Sequence, residues 1–237
     1  MQLSVKEIAK LLNVTEKTIY RWIKQESIPV YRINDQCRFN RAEIIEWATS
    51  RRIPLSADIL TEPDGSQIPL PSLAETVKTG GIVYRLGGAD KPTVLRNIVE
   101  VMHLPEEVDR EFLYQVLLAR ENLGSTGIGG GIAIPHVRNP IVLHITKPII
   151  TLCFLEHPIH FGAIDGEPVD TLFTLISPTV RAHLHLLSRL GFVLQNPDFK
   201  TALKQQLLRD KILEELARVE GALHGIKSDP TLKPSVP

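Results

Sequence analysis

The chain of 237 residues is long enough to bury a sizeable core, in one large domain or two smaller ones. Its 27 Lys and Arg balance its 27 Asp and Glu, so no global charge points to nucleic acid or a membrane surface. Cys37 and Cys153 are solitary and far apart, which excludes a disulfide framework or a zinc cluster and suits two buried thiols in a reducing compartment. The charge is nevertheless uneven. Residues 1–53 hold ten Lys/Arg against six Asp/Glu, +4, leaving the remainder at −4, and halves of opposite sign suggest two domains with different partners.

The opening "MQLSVKEIAK" lacks a basic segment followed by an apolar run, so no export signal is expected and the protein is read as cytoplasmic. "SVKEIAKLL" places Val5, Ile8, Ala9 and Leu12 on one helical face, with Ser4 as its N-cap. After a tight turn at "NV", Thr15 caps a second helix, "EKTIYRWIKQ", whose Ile19, Trp22 and Ile23 point inward. Two short helices this closely joined predict a helix-turn-helix. "IPVYRINDQCRF" alternates around an Asn34-Asp35 turn and predicts a β-hairpin wing, and "RAEIIEWATSR" a closing helix. The outer face of the second helix carries Lys17, Tyr20, Arg21 and Lys24, with Thr18 near its start, and suits the major groove, where cations meet phosphate or guanine edges. Arg32 and Arg38 on the wing are placed for flanking phosphates. A solvated helix in a small protein-interaction module is the alternative on these residues alone.

"VKEIAKLLNVTEKTIYRWIKQESIPVYRI", followed by "RFNRAEIIEW", resembles the excisionase-like branch of the MerR-type winged helix-turn-helix family over nearly all of residues 1–50. The resemblance implies double-stranded DNA as partner. A single small domain at +4 binds weakly, so a homodimer or multiple sites is expected, although no long coiled coil follows the wing.

Residues 54–72 carry four prolines, one glycine and three serines without apolar period, and are expected to be a linker. Residues 73–223 form a second domain of ordinary size, and residues 224–237 a flexible tail. Within that domain "KPTVLRNIVEVM", "REFLYQVLLAR" and the run from Asp198 to Val219 have helical spacing, and "IVLHITKPIITLCFLEHPI" reads as two strands. His144, Lys147 and Pro148 interrupt that last stretch, so it cannot supply about 18 consecutive apolar residues for a membrane span.

"GSTGIGGGIAIPH", Gly124 to His136, is not a P-loop, because Gly131 is followed by Ile-Ala-Ile and not Lys-Ser/Thr; no dinucleotide fingerprint is present either. Glycines still let backbone N–H groups approach an anion, so Ser125, Thr126, Gly127 and Gly129 are expected to cradle a phosphoryl group that carries no nucleotide. His136 is then a competent nucleophile near neutral pH, with Pro135 fixing its approach. Arg120 and an imidazole of "HLHLL" are candidate partners for the dianion. His157 and His160 flank Pro158 without a third metal ligand in reach, and His185, on a different helical face from His183, is read as structural.

"LLARENLGSTGIGGGIAIPH", "FLEHPIHFGAIDGEPVDTLFTLISP" and "AHLHLLSRLG" together resemble the enzyme IIA domain of the fructose/mannitol class of the bacterial phosphotransferase system, most closely its nitrogen-regulatory branch, over about residues 73–220. The resemblance implies an α/β domain with a mixed central sheet covered by helices on both faces. It implies that His136 accepts a phosphoryl group from a histidine-phosphorylated carrier such as HPr, with His183 as second active-site histidine and Arg120 beside them. No cofactor or metal is called for. A departure is "VRNP" after the loop, where nitrogen-branch proteins often have Gly-Lys, which alters the rim that partners meet.

The sequence therefore predicts a cytoplasmic regulator whose phosphorylation state biases DNA binding. The contact between domains is expected at the basic recognition surface, so that phosphorylation strengthens it and weakens DNA binding. The alternatives are a transfer component handing phosphate to a separate IIB protein, and a constitutive DNA-binding protein without phosphate chemistry.

Overall fold

The computed structural model describes residues 2–33, 36–51, 53, 70–137 and 145–225. The Asn34-Asp35 turn, most of the expected linker, the Arg138–His144 stretch and the tail from residue 226 lie outside the described residues.

The N-terminal unit begins with β1 (Gln2–Leu3) and α1 (Val5–Leu11). Ser4 starts α1 through a capping box: its hydroxyl accepts from the Glu7 N–H at 3.4 Å, and the Glu7 carboxylate accepts from the Ser4 N–H at 2.8 Å. Thr15 caps α2 (Glu16–Lys24) by accepting from the Thr18 N–H. β2 (Tyr31–Ile33) and β3 (Gln36–Asn40) pair antiparallel, β1 adds to the other edge of β3, and α3 (Arg41–Ser50) closes the unit. Ile19 is fully buried beneath α2. Trp22 meets Trp47 of α3 edge-on at 5.2 Å, and the Trp47 indole N–H donates to the Ser27 carbonyl at 2.6 Å.

The remaining elements are α4 (Leu73–Gly80), β4 (Ile82–Leu86), α5 (Lys91–Val101), α6 (Arg110–Asn122), β5 (Gly127–Gly129), β6 (Ile132–Ala133), β7 (Ile149–Ile159), β8 (Val169–Ile176), α7 (Val180–Val193), α8 (Pro197–Lys204) and α9 (Arg209–Gly225). They form an α/β domain on a five-stranded sheet ordered β4-β7-β8-β6-β5. The sheet is mixed: β4/β7 and β6/β8 run parallel, β7/β8 and β5/β6 antiparallel.

β7 is apolar on both faces because both faces are covered. Ile150, Leu152 and Phe154 point to a core shared with α4, α7, α8 and α9, whereas Ile149, Cys153 and Leu155 point to a second core under α5 and α6. The α4 start is tied down by buried Glu220, whose carboxylate accepts from the Leu73 and Ala74 N–H groups and from Arg189.

The second half of "IVLHITKPIITLCFLEHPI" forms the strand β7; residues 141–144 of the first half lie outside the described residues, and Ile145–Pro148 belong to no strand. The helical run from Asp198 divides into α8 and α9, since Gln206 takes a left-handed φ of 47° and ends the first helix. No described helix is long and apolar enough to cross a membrane.

The first apolar core does not stop at the domain boundary. It runs from Ile8, Ile19, Ile44 and Ala48 into Ile128, Ile132, Leu187 and Leu190, with α3 packed on α7.

Candidate functional site around His136

Strand periodicity aims His136. Ile132 and Ala133 pair in parallel with Thr171 and Leu172, and the path continues beside β8 to His136 opposite Leu175, where the Leu175 N–H donates to the Pro135 carbonyl at 2.9 Å. Alternation then puts Ile132, Ile134 and His136 on one face, the face that α7 covers. His136 is buried, with 4% of its surface exposed. Its Nδ1 lies 2.7 Å from the Ile134 carbonyl oxygen, which can only accept, so Nδ1 carries the proton and Nε2 keeps its lone pair.

α7 supplies His183 on the same stripe as Leu186, Leu187 and Leu190. The two imidazole centroids are 5.3 Å apart. Burial, followed by the adjacent His136, pushes the His183 pKa down to about 3 against the opposing pull of the Glu46 carboxylate, and Arg120 adds to the lowering. His183 is therefore neutral at physiological pH.

Arg120 enters from the last turn of α6. It donates to the Gly124 carbonyl at 2.9 Å and, through its other terminal nitrogen, to the carboxylate of Glu46 in α3. The same Glu46 oxygen is 3.5 Å from His136 Nε2, an electrostatic contact without hydrogen-bond geometry. Glu46, Arg120, Ser125, Thr126, Ile134 and His136 border a cavity of about 20 Å³, room for about one water.

The glycine-rich loop is built differently from the expected cradle. Glu121, buried beside Arg120, accepts from the Thr126 N–H at 3.1 Å, from the Thr126 hydroxyl at 2.6 Å and from Lys91 at 3.1 Å. The Ser125 hydroxyl donates to the Phe161 carbonyl at 2.8 Å and accepts from the Gly127 N–H at 3.1 Å. Ser125 and Thr126 thus line the cavity, but these donors are engaged within the protein. Gly127 and Gly129 belong to the hairpin strand β5, paired with Ala133 and Ile132. Gly127 serves close packing, because a Cβ there would lie 2.8 Å from the Ala163 Cα.

On the N-terminal unit Lys17, Tyr20, Arg21 and Lys24 are exposed along α2. Thr18 is half-buried, its hydroxyl 3.0 Å from that of Thr15. Arg32 lies on β2 and Arg38 on β3; Arg38 sits near Glu7, whose carboxyl is held below its usual range mainly by the Ser4 backbone and hydroxyl. The contact between the units is made by α3, not by the basic face of α2 where the sequence placed it.

His157 and His160 are exposed, and no group of three or more metal-ligating side chains occurs among the described residues. His185 is buried with Nε2 3.2 Å from the Pro71 carbonyl. Sequence reasoning missed Glu46, Glu121 and Lys91. Glu121 carried a signal, an acid next to Arg120 at the mouth of the loop; Glu46 carried none, since it lies on another domain.

Residues 76–219 match the family described as phosphoenolpyruvate-dependent sugar phosphotransferase system, EIIA 2, and residues 3–52 match a helix-turn-helix domain. A nitrogen regulatory protein of Pseudomonas aeruginosa is 37% identical over 136 residues, 56% of this chain and 86% of that protein. The Escherichia coli nitrogen regulatory protein is 43% identical over 89 residues, 37% of this chain and only 51% of that protein. The crystal structure of nitrogen regulatory protein IIA-Ntr from Neisseria meningitidis superposes with a TM-score of 0.53 at 26% identity, covering 61% of this chain and 98% of that one.

Proposed function

The chain belongs to the EIIA 2 family of the phosphotransferase system, joined to a helix-turn-helix domain, and from that premise we propose that it is a phosphorylation-responsive DNA-binding regulator. His136 is the phosphoryl acceptor and a histidine-phosphorylated carrier protein of the HPr type is the donor. The observation that carries this reading is the fixed tautomer of His136: the Ile134 carbonyl holds the Nδ1 proton and leaves Nε2 as the nucleophilic nitrogen, beside a neutral His183 and facing the Glu46 carboxylate that Arg120 holds.

Nε2 attacks phosphorus as the N–P bond to the carrier imidazole breaks, and the carrier nitrogen recovers the electron pair. His136 keeps its Nδ1 proton against Ile134 throughout, so no base is required. The work of the site is positioning and charge stabilisation. Arg120 supplies the fixed positive charge for the transferring group, and His183, neutral, can donate one N–H to it.

The N-terminal domain is a winged helix-turn-helix of excisionase/MerR-like type that binds double-stranded DNA through α2. Lys17 and Thr18 contact base edges. Tyr20, Arg21 and Lys24, with Arg32 and Arg38 on the hairpin, contact the backbone. Incubation of the full chain with phosphorylated carrier, followed by mass spectrometry under alkaline conditions, tests the acceptor. One added phosphoryl group is expected, absent from His136→Ala; full labelling of that variant refutes the assignment.

A further inference from the structure

An acceptor imidazole must present Nε2 to a donor protein, yet His136 is buried and its cavity of about 20 Å³ holds about one water and no phosphoryl group. What closes it is α3. The outer mouth is walled by Pro29, Glu43, Glu46, Trp47 and Ser50 from the N-terminal unit, facing Arg120, Leu123 and Ser125. Glu46 does more than cover the site. Its carboxylate, a planar anion, takes the hydrogen bond of Arg120 and stands 3.5 Å from the nucleophilic nitrogen, where the oxygens of a bound phosphoryl group would lie.

We propose that α3 is an internal occupant of the phosphoacceptor surface, with Glu46 held by Arg120 in the place of the phosphoryl group, so that docking of the N-terminal domain and phosphorylation of His136 exclude one another. The proposal rests on His136 being the acceptor. A phosphoryl group adds about two negative charges. Facing Glu46 across a few ångström, and competing for the same guanidinium, it expels the carboxylate and α3 with it.

The remainder of the contact continues the first apolar core and is incompletely filled. Thr49 of α3 packs on Gly191 of α7, and next to them a cavity of about 170 Å³ remains between Thr49, Ile53, Ile128 and Leu194. The apolar core holds the two units together, and the unfilled cavity beside it lowers the cost of parting them. Because Lys17, Tyr20, Arg21 and Lys24 are exposed while α3 is docked, release does not uncover the recognition helix. It frees the whole basic domain from its attachment to the C-terminal one.

The test uses the full chain with phosphorylated HPr as donor, comparing wild type, Glu46→Gln and Gly191→Leu. Glu46→Gln keeps the side-chain shape and removes the charge. Gly191→Leu acts at a distance from the chemistry: a Cβ there already touches the Thr49 hydroxyl at 3.4 Å, so the rest of a leucine side chain either displaces α3 or enters the neighbouring cavity, and amide exchange of α3 in the variant shows which. Glu46→Gln is expected to be phosphorylated on His136 about tenfold faster than wild type, the scale of losing one partly buried charge-assisted hydrogen bond, and Gly191→Leu faster in step with any rise in its α3 exchange. In wild type, phosphorylation is expected to raise amide exchange across α3. Labelling of His136 at the same rate in all three proteins, with α3 exchange unchanged, overturns the inference and leaves the acceptor assignment standing. Slower labelling of Glu46→Gln overturns it too, by making Glu46 an aid to transfer. If His136 is labelled in none of them, the acceptor assignment itself fails and the inference falls with it.

Discussion

Glu121 holds the loop that separates Arg120 from His136, and Glu121→Gln isolates that role. The side chain is 1% exposed and receives the Thr126 N–H at 3.1 Å, the Thr126 hydroxyl at 2.6 Å and Lys91 at 3.1 Å. Glutamine keeps the shape but offers one acceptor oxygen and turns an NH2 donor toward a group that also donates. Two hydrogen bonds to Thr126 lose their charge assistance, about 1 kcal/mol each, and one buried donor is left facing another, about 1–3 kcal/mol. Lys91 is excluded from the sum because its side chain is 24% exposed and can turn to water. The expected loss is about 3–5 kcal/mol, or roughly 6–20 °C in Tm for a chain of this size. Thermal melts and urea titrations of the full chain measure it, and a cycle with Thr126→Val should show coupling above about 1 kcal/mol. A loss under about 1 kcal/mol, or strict additivity, refutes the view that Glu121 is the anchor of the loop. Phosphorylation should slow as well, since Ser125 and Thr126 border the nucleophile's cavity.

His183→Ala should remain folded yet accept phosphate on the order of a hundredfold more slowly, because it removes a stabilising donor and not the nucleophile; an unchanged rate in rapid-mixing experiments makes His183 purely structural. Stability should be level above neutral pH and fall in acid. His183 and His185 have pKa values lowered to about 3 and about 4, both chiefly by burial, so below about pH 6.5 the unfolded chain takes up protons that the folded chain refuses. The slope for His183 is about 1.4 kcal/mol per pH unit between about pH 6 and 4, with His185 adding to it; urea midpoints report it, and a midpoint that stays constant over that range contradicts neutral burial. Arg21→Ala or Lys24→Ala should weaken binding to all DNA sequences and reduce the salt slope by about one unit each, whereas changing Lys17 or Thr18 should alter sequence preference; binding isotherms across salt concentrations distinguish the two patterns.

The sequence by itself determined what neighbours in the chain decide. Ser4 and Thr15 announced the starts of α1 and α2, since a cap needs only its own next three residues. The Gly-rich loop, its terminal Pro-His, the downstream His-Leu-His and Arg120 pointed to a site through the family resemblance they carry, and the fold brings His136 and His183 within 5.3 Å. Apolar period located most helices, though not the break at Gln206, where a left-handed residue interrupts an unbroken helical pattern. Tertiary structure decided everything that depends on which faces meet. The donors of Ser125 and Thr126, open to an anion in sequence, are spent on Phe161 and Glu121 because a buried carboxylate and carbonyl must be satisfied. The tautomer of His136 was fixed by a backbone carbonyl two residues away, a matter of strand geometry and not of composition. Glu46 reached the site from a different domain, across an apolar surface that neither unit's periodicity could pair in advance, since a pattern of burial shows which face is covered and never by what.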